Sequence, residues 1–219
     1  MRAPTLFTLK DQHLWLSPDR VIYWEEEQAI ILSDLHLGKS GHFRKAGIPV
    51  PQTVFKHDLQ RLFALVQHFR PTRLFVIGDF FHSHDNRELD LFSRWRTDHP
   101  GISIHLVEGN HDILSEKWYT DNQIQVHKQE FRIGPFRFRH EPLTDGTHDD
   151  EGYLICGHLH PGVRVKGMGK QSMRLPCFYF DRHQAILPAF GGFTGLYLIE
   201  PSGDSNVFAI VNNELVQLQ

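Results

Sequence analysis

Apolar and polar positions change their pattern about halfway along the chain. In the first half, apolar runs at 30–32 and 74–77 have no polar alternation, as expected of strands buried on both faces. Shorter strand candidates at 14–16 and 20–24 precede them, and the first strand spans 28–33. Val54, Leu59, Leu62, Phe63, Leu65 and Val66 recur at helical spacing after Pro51, and Pro71 marks the stop. A second helix is predicted between Arg87 and Thr97, followed by a strand at 102–107. This strand–helix–strand–helix–strand order implies parallel βαβ units. The second half predicts short strands at 124–127, 130–133, 136–140, 153–156, 162–165, 177–180, 185–188, 196–199 and 207–211, with Gly134-Pro135 as a hairpin signal. The pattern therefore predicts a mixed α/β sandwich, with an αβ first half and a β-rich second half.

The chain has 219 residues, 40% of them apolar and 22% charged, with no repeat or linker, so a single domain over 1–219 is expected. No apolar run approaches the ~20 residues needed to span a bilayer, and the N-terminus lacks the apolar core of an export signal. A cytoplasmic, non-membrane protein is the expectation. Cys156 and Cys177 are too few for a disulfide framework, and their spacing fits no zinc motif. A net charge of -3 gives no bulk attraction to nucleic acid, so any such binding needs a local basic patch.

The 16 histidines are the unusual feature, and their positions are informative. The predicted strands deliver, at their C-terminal ends, Asp34-Leu35-His36, Gly78-Asp79, Gly109-Asn110-His111-Asp112, His140 and Gly157-His158-Leu159-His160. Ligands of open α/β sheets collect at that end of the strands, so these motifs are expected to converge on one crevice. In an extended segment, residues two apart point the same way, which would let Asp34 with His36, and His158 with His160, act as pairs. Glycines before Asp79, Asn110 and His158 are expected to let the chain turn sharply there. Imidazole and carboxylate donors suit Mn²⁺, Fe²⁺ or Zn²⁺. Two cations about 3.5–4 Å apart need a bridging anion, a role a carboxylate such as Asp79 can fill. Singly these motifs are weak: Asp-x-His and Gly-Asp arise by chance, and His158-x-His160 alone fits a solvated loop. Together, each behind a predicted strand, they form a specific set.

The set resembles the calcineurin-like metallophosphoesterase superfamily, from about residue 30 to His160. The resemblance implies a four-layer αββα sandwich with two mixed β-sheets and a dinuclear phosphoesterase site, with Mn²⁺ the foremost metal. It implies that Asp34, His36 and His160 hold one metal, that Asn110, His140 and His158 hold the other, and that Asp79 bridges them. His111 would face the substrate, with Asp112 orienting it. Hydroxide made available between two such metals attacks phosphorus in this chemistry. The stretch from Asp34-Leu35-His36-Leu37-Gly38-Lys39-Ser40 through His42-Phe43-Arg44-Lys45-Ala46-Gly47-Ile48-Pro49, with Gly78-Asp79-Phe80-Phe81-His82-Ser83, is similar to the bacterial DNA ligase-associated metallophosphoesterases (the PdeM type). That similarity implies a phosphodiesterase of endonuclease-like action in DNA repair, beside a ligase, a helicase and a nuclease-like partner.

Lys39, His42 and Arg44 in the following loop, and His82, are candidate substrate contacts; His84 is read as a solvated loop residue. Arg132, Arg137 and Arg139, with Arg164, Lys166, Lys170 and Arg174, could track a nucleic-acid backbone. Basic residues on an edge strand also block aggregation, and that reading is taken here. Phe131, Phe136, Phe138, Phe178, Tyr179 and Phe180 read as packing residues. Alternatives within this chemistry are a small-molecule nucleotide pyrophosphatase or phosphodiesterase and a phosphomonoesterase; outside it stands a non-catalytic scaffold of the same fold.

Overall fold

The computed structural model describes residues 2–39, 52–82, 87–143, 152–167, 171–192 and 194–219. The first sheet has seven strands in sequence order: β1 (Thr5–Leu9), β2 (Gln12–Ser17), β3 (Val21–Trp24), β4 (Ala29–Leu32), β5 (Arg73–Ile77), β6 (Ser103–Val107) and β7 (Ile124–His127). β1 to β4 run antiparallel and β4 to β7 parallel. The crossovers carry α1 (Gln52–Phe69), α2 (Arg87–Asp98) and α3 (Glu116–Asp121).

Period-two alternation divides each central strand between two cores. Ile30, Leu32, Leu74, Val76, Ile104 and Leu106 face the helices, where Leu62 and Leu65 of α1 and Phe92 of α2 meet them. Ala29, Ile31, Phe75 and Ile77 face the second sheet. Both sets are fully buried, which explains why β4 and β5 read as unbroken apolar runs. Each such side chain contributes roughly 1.5–3 kcal/mol by leaving water. Helix α1 stops where Arg70 takes a left-handed φ of +48°, followed by Pro71, which has no N–H to continue the ladder. Helix α3, which periodicity did not predict, is short and capped by Ser115, whose Oγ accepts the Trp118 N–H at 3.2 Å.

The second sheet has nine strands: β8 (Phe131–Ile133), β9 (Phe136–Phe138), β10 (Tyr153–Cys156), β11 (Pro161–Lys166), β12 (Ser172–Phe180), β13 (Gln184–Ile186), β14 (Tyr197–Leu198), β15 (Asn206–Val211) and β16 (Glu214–Gln217). β9, β10 and β13 are mutually parallel, and the other pairings are antiparallel except β11 with β14. Phe136, Phe138, Phe178, Phe180 and Phe208 pack against the first sheet, with Trp24 edge-on to Phe136 at 4.9 Å. The aromatic runs of the second half are thus core, as their pattern predicted.

The fold is α/β with two mixed sheets. The three helices lie on the outer face of the first sheet; among the described residues the outer face of the second carries no helix, only small clusters around Cys177 and Cys156. The α/β class and the two mixed, face-to-face sheets are as the sequence led one to expect. Strands β1 and β16 escaped the sequence reading because they are edge strands, mostly exposed, without an apolar run. Cys156 and Cys177 are buried free thiols. No described helix is long and apolar enough to cross a membrane.

Candidate metal centre

The parallel strands β4, β5 and β6 of one sheet, and β9 and β10 of the other, all end at one edge of the sandwich. Asp34 and His36 follow β4, Asp79 follows β5, Asn110, His111 and Asp112 follow β6, His140 follows β9, and His158 and His160 follow β10. Two groups of donor atoms each gather within 4.8 Å: Asp34, His36 and His160, and Asp34, Asp79 and His140. Asp34 belongs to both sets, and Asp79 reaches from the second towards the first. Asp79 Oδ2 is 3.9 Å from His36 Nε2, and Asp79 Oδ1 is 3.6 Å from His140 Nε2. Asp34 Oδ1 faces His160 Nε2 at 3.3 Å. His158 Nδ1 stands 3.1 Å from His140 Nε2. The other nitrogen of His140 donates to the Ile77 carbonyl at 3.2 Å, which orients the ring with its Nε2 towards His158.

These residues fit divalent cations on their own evidence. Both ring nitrogens of His36 and Oδ1 of Asp34 are buried without a hydrogen-bond partner among the described residues. Buried polar atoms are rarely left so, and a cation would satisfy them. Burial, reinforced by Lys39 and the neighbouring histidines, lowers the His36 pKa to about 2, so its imidazole stays neutral and able to ligate.

The backbone departs from the sequence argument in an informative way. Asp34, His36, Asp79, His158 and His160 all have left-handed φ, between 51° and 67°. The paired motifs do converge, but on a left-handed backbone rather than an extended strand. That geometry costs about 1–2 kcal/mol per non-glycine residue. Cross-loop hydrogen bonds sustain it: Asp34 N–H donates to Gly78 O at 3.1 Å, His36 N–H to Asp79 O at 2.9 Å and Leu37 N–H to Phe80 O at 2.9 Å. The glycines also act differently from expectation. Of Gly78, Gly109 and Gly157, Gly78 alone has a left-handed φ; at Gly157 the requirement is space, because a Cβ there would lie 2.6 Å from Asp34 Oδ2. Gly109 is likewise needed for close approach to Asp79.

The carboxylates are held by N–H donors. Asp34 Oδ2 accepts from His158 N at 3.0 Å, and Asp79 Oδ1 from His111 N at 2.9 Å. Asp112 reaches backbone rather than the His111 ring: its carboxylate accepts from Phe81 N and Gly109 N, each at 2.9 Å. It therefore ties the loops after β5 and β6 together and sets His111 through the main chain. Burial pushes its carboxyl up to about 7, against those donors. The His111 ring is half exposed, 4.0 Å from Asp79 Oδ2 and 4.2 Å between centroids from the His82 ring. Lys39 sits close enough for both Asp34 and Asp79 to act on its charge, although burial dominates and lowers its pKa. His42, Arg44 and His84 lie outside the described residues. Asn110 and His140 line an open cleft of about 510 Å³, bordered by Glu108, Lys128, Arg139 and Glu141.

One support was not visible in sequence. The segment after β13 runs under the Asp34 loop, with Phe190 N–H donating to Ser33 O at 2.8 Å and Gly191 N–H to Asp34 O at 3.0 Å. Arg20 donates to Ala189 O at 3.0 Å, Arg61 to Phe190 O, and Asp58 accepts from Gly192 N at 2.9 Å. The only trace in the chain is a charged i,i+3 pair, Asp58 and Arg61, inside an otherwise apolar helix face.

A cluster of carboxylates and imidazoles, at the carboxyl edge of two mixed sheets, is the site of a metal-dependent phosphoesterase. The chain aligns with the crystal structure of the Pseudomonas putida nuclease MPE at 30% identity and a TM-score of 0.82, over 98% of this chain and 100% of that one. It belongs to the metallophosphoesterase superfamily. Looser likenesses are to Yfce, a phosphoesterase from E. coli (14% identity, 87% of this chain and 97% of that one, TM-score 0.44), and to zinc-complexed Vps29 from Entamoeba histolytica (14%, 86% and 96%, TM-score 0.36). No protein-family model and no curated protein matches the chain.

Proposed function

We propose that the protein is a phosphodiesterase that cleaves nucleic acid. The observation that carries this reading is the full-length similarity to a nuclease at a TM-score of 0.82. The open cleft beside Asn110 and His140 supports it, since a diester needs room for a substituent on each side of phosphorus.

In this reading Asp34, His36 and His160 hold one divalent cation, Asn110, His140 and His158 hold a second, and Asp79 reaches both. When bound, the cations supply Lewis-acid charge and hydroxide near neutral pH. The chain's own residues do the rest. Asp79 and Asp34, fixed by the N–H groups of His111 and His158, keep the cluster's negative charge in place. His111, half exposed beside Asp79, hydrogen-bonds the phosphoryl group or gives a proton to the leaving oxygen, and Asp112 holds its loop. Lys39 and His82 are positioned to meet phosphoryl oxygens, with His42 and Arg44 assigned to the same task from the sequence.

The finer assignments are also proposals: Mn²⁺ as the native metal, the DNA ligase-associated subtype with a role in DNA repair, protein partners among a ligase, a helicase and a nuclease, and a cytoplasmic location. Imidazole and carboxylate donors support the metal; the motifs around Asp34 and Asp79 support the subtype. Buried free thiols at Cys156 and Cys177 support a reducing compartment. The test is hydrolysis of bis-p-nitrophenyl phosphate against p-nitrophenyl phosphate, with Mn²⁺ and with chelator. Mn²⁺-dependent cleavage favouring the diester is expected. Preference for the monoester would sink the nuclease reading and leave a phosphatase.

A further inference from the structure

Among the described residues two arginine pairs are directly opposed, and their surroundings differ. On β8 and β9, Arg132 lies opposite Arg137. Glu130 neutralises this pair: its carboxylate accepts from Arg137 Nε at 3.0 Å and Nη2 at 2.7 Å, and from Arg132 Nε. Those arginines are structural, but only Arg132, on the edge strand β8, fits the edge-strand reading; Arg137 is buried on β9, between β8 and β10. On β11 and β12, Arg164 lies opposite Arg174, and Lys166 opposite Ser172. All three basic side chains are exposed, and none has an ion pair or side-chain hydrogen bond among the described residues. Like charges facing each other across a ladder destabilise it. Protecting an edge does not require them, because charges of mixed sign would do so without repulsion.

Their position is also defined. β11 begins at Pro161, immediately after His160 of the metal centre. At 3.3 Å per residue, Arg164 lies about 13 Å and Lys166 about 20 Å along the strand from His160. Alternation along β12 sets the face. Phe178 packs into the core between the sheets, whereas Cys177 and Leu175 belong to the outer cluster. Arg174, an even number of residues from Phe178, therefore continues the inner face past the metal-bearing edge, and Arg164 shares that side. Lys170 lies outside the described residues.

We infer that this β11–β12 hairpin is a phosphate track: Arg164, Lys166 and Arg174 hold the backbone of a single-stranded nucleic acid a few nucleotides from the bond cleaved at the metal centre. The inference rests on the nuclease reading above. It gives the chain, net -3, the local basic patch that nucleic-acid binding demands.

The experiment uses the full chain with Mn²⁺, bis-p-nitrophenyl phosphate and a fluorescent single-stranded DNA oligonucleotide. Two triple variants are compared: Arg164→Glu/Lys166→Glu/Arg174→Glu, and its Gln counterpart, which removes charge without reversing it. The expected result is an oligonucleotide KM raised on the order of tenfold to a hundredfold, with bis-p-nitrophenyl phosphate turnover unchanged. The slope of log affinity against log salt should fall by about 2 for three lost phosphate contacts. A KM within twofold of the parent at low salt, in both variants, would overturn the track while leaving the nuclease reading intact. Equal loss on both substrates would also overturn it, since the hairpin would then be supporting the fold. A parent protein that hydrolyses the small diester but neither binds nor cuts the oligonucleotide would instead overturn the nuclease reading beneath it.

Discussion

The two sheets contribute differently to the metal centre. The first supplies both carboxylates, Asp34 and Asp79, buried at 0% and 4% exposure and fixed by backbone N–H donors. The second supplies only imidazoles: His140, His158 and His160. The carboxylates thus come from the parallel part of the first sheet, and the other sheet closes the site with imidazoles. The contact is intimate enough that glycine is required on both sides. A Cβ on Gly78 would lie 1.9 Å from His140 Nδ1, and one on Gly157 would lie 2.6 Å from Asp34 Oδ2. Correct docking of the sheets and integrity of the site are therefore the same event.

The largest expected effect comes from Asp79, whose carboxylate faces both His36 and His140. Asp79→Asn should bring turnover down to the rate of the chelated parent, with metal lost from both positions by elemental analysis. His158→Ala, on the imidazole side, should keep one metal equivalent; loss of both there would break the asymmetry. Next is His111→Ala, expected to lower diester turnover by roughly 10²–10⁴ with metal content nearly unchanged. Equal metal loss in that variant would make His111 a ligand.

A smaller effect tests docking itself. Gly157→Ala should destabilise the protein by about 1–3 kcal/mol, as overpacking does, and should weaken metal binding at the same time. Destabilisation without any change in metal affinity would separate the two events. Smallest is a pH effect at the same sheet-to-sheet contact, where the His105 ring of β6 stacks 4.9 Å from Phe131 of β8 and its Nδ1 lies 3.2 Å from His127 Nε2. Burial, then His127 and Arg73, lowers the His105 pKa from 6.5 to about 4. The unfolded chain therefore binds the proton more readily than the fold, so stability is full above pH 6.5 and declines as pH falls towards 4. Thermal melts of metal-free protein should show a shallower decline over that window for His105→Phe than for the parent.

The candidate donors could be found in sequence because they follow apolar strands, and strand ends are marked by where an apolar run stops. Ile30 to Leu32 and Leu74 to Ile77 fixed the positions of Asp34 and Asp79 in this way, and both gather at the cluster. Asp112 was found by its motif, but its partners were not, since Phe81 N and Gly109 N become neighbours only across two loops. The segment at 189–192 gave no signal, because it acts through main-chain groups that every residue has. Strand β1 and helix α3 went unseen because neither carries a long periodic apolar stripe.

The sequence by itself determined the class of fold, the donor types and the edge at which they collect, because burial period and ligand chemistry are local properties. Only the tertiary structure decided that five of the candidate donors sit on left-handed backbone, that Gly157 is needed for space, and that Arg137 is neutralised while Arg164 and Arg174 face each other without an anion among the described residues. Those facts depend on which distant segments meet, and strand register and loop-to-loop contact are set by packing between parts of the chain far apart in order.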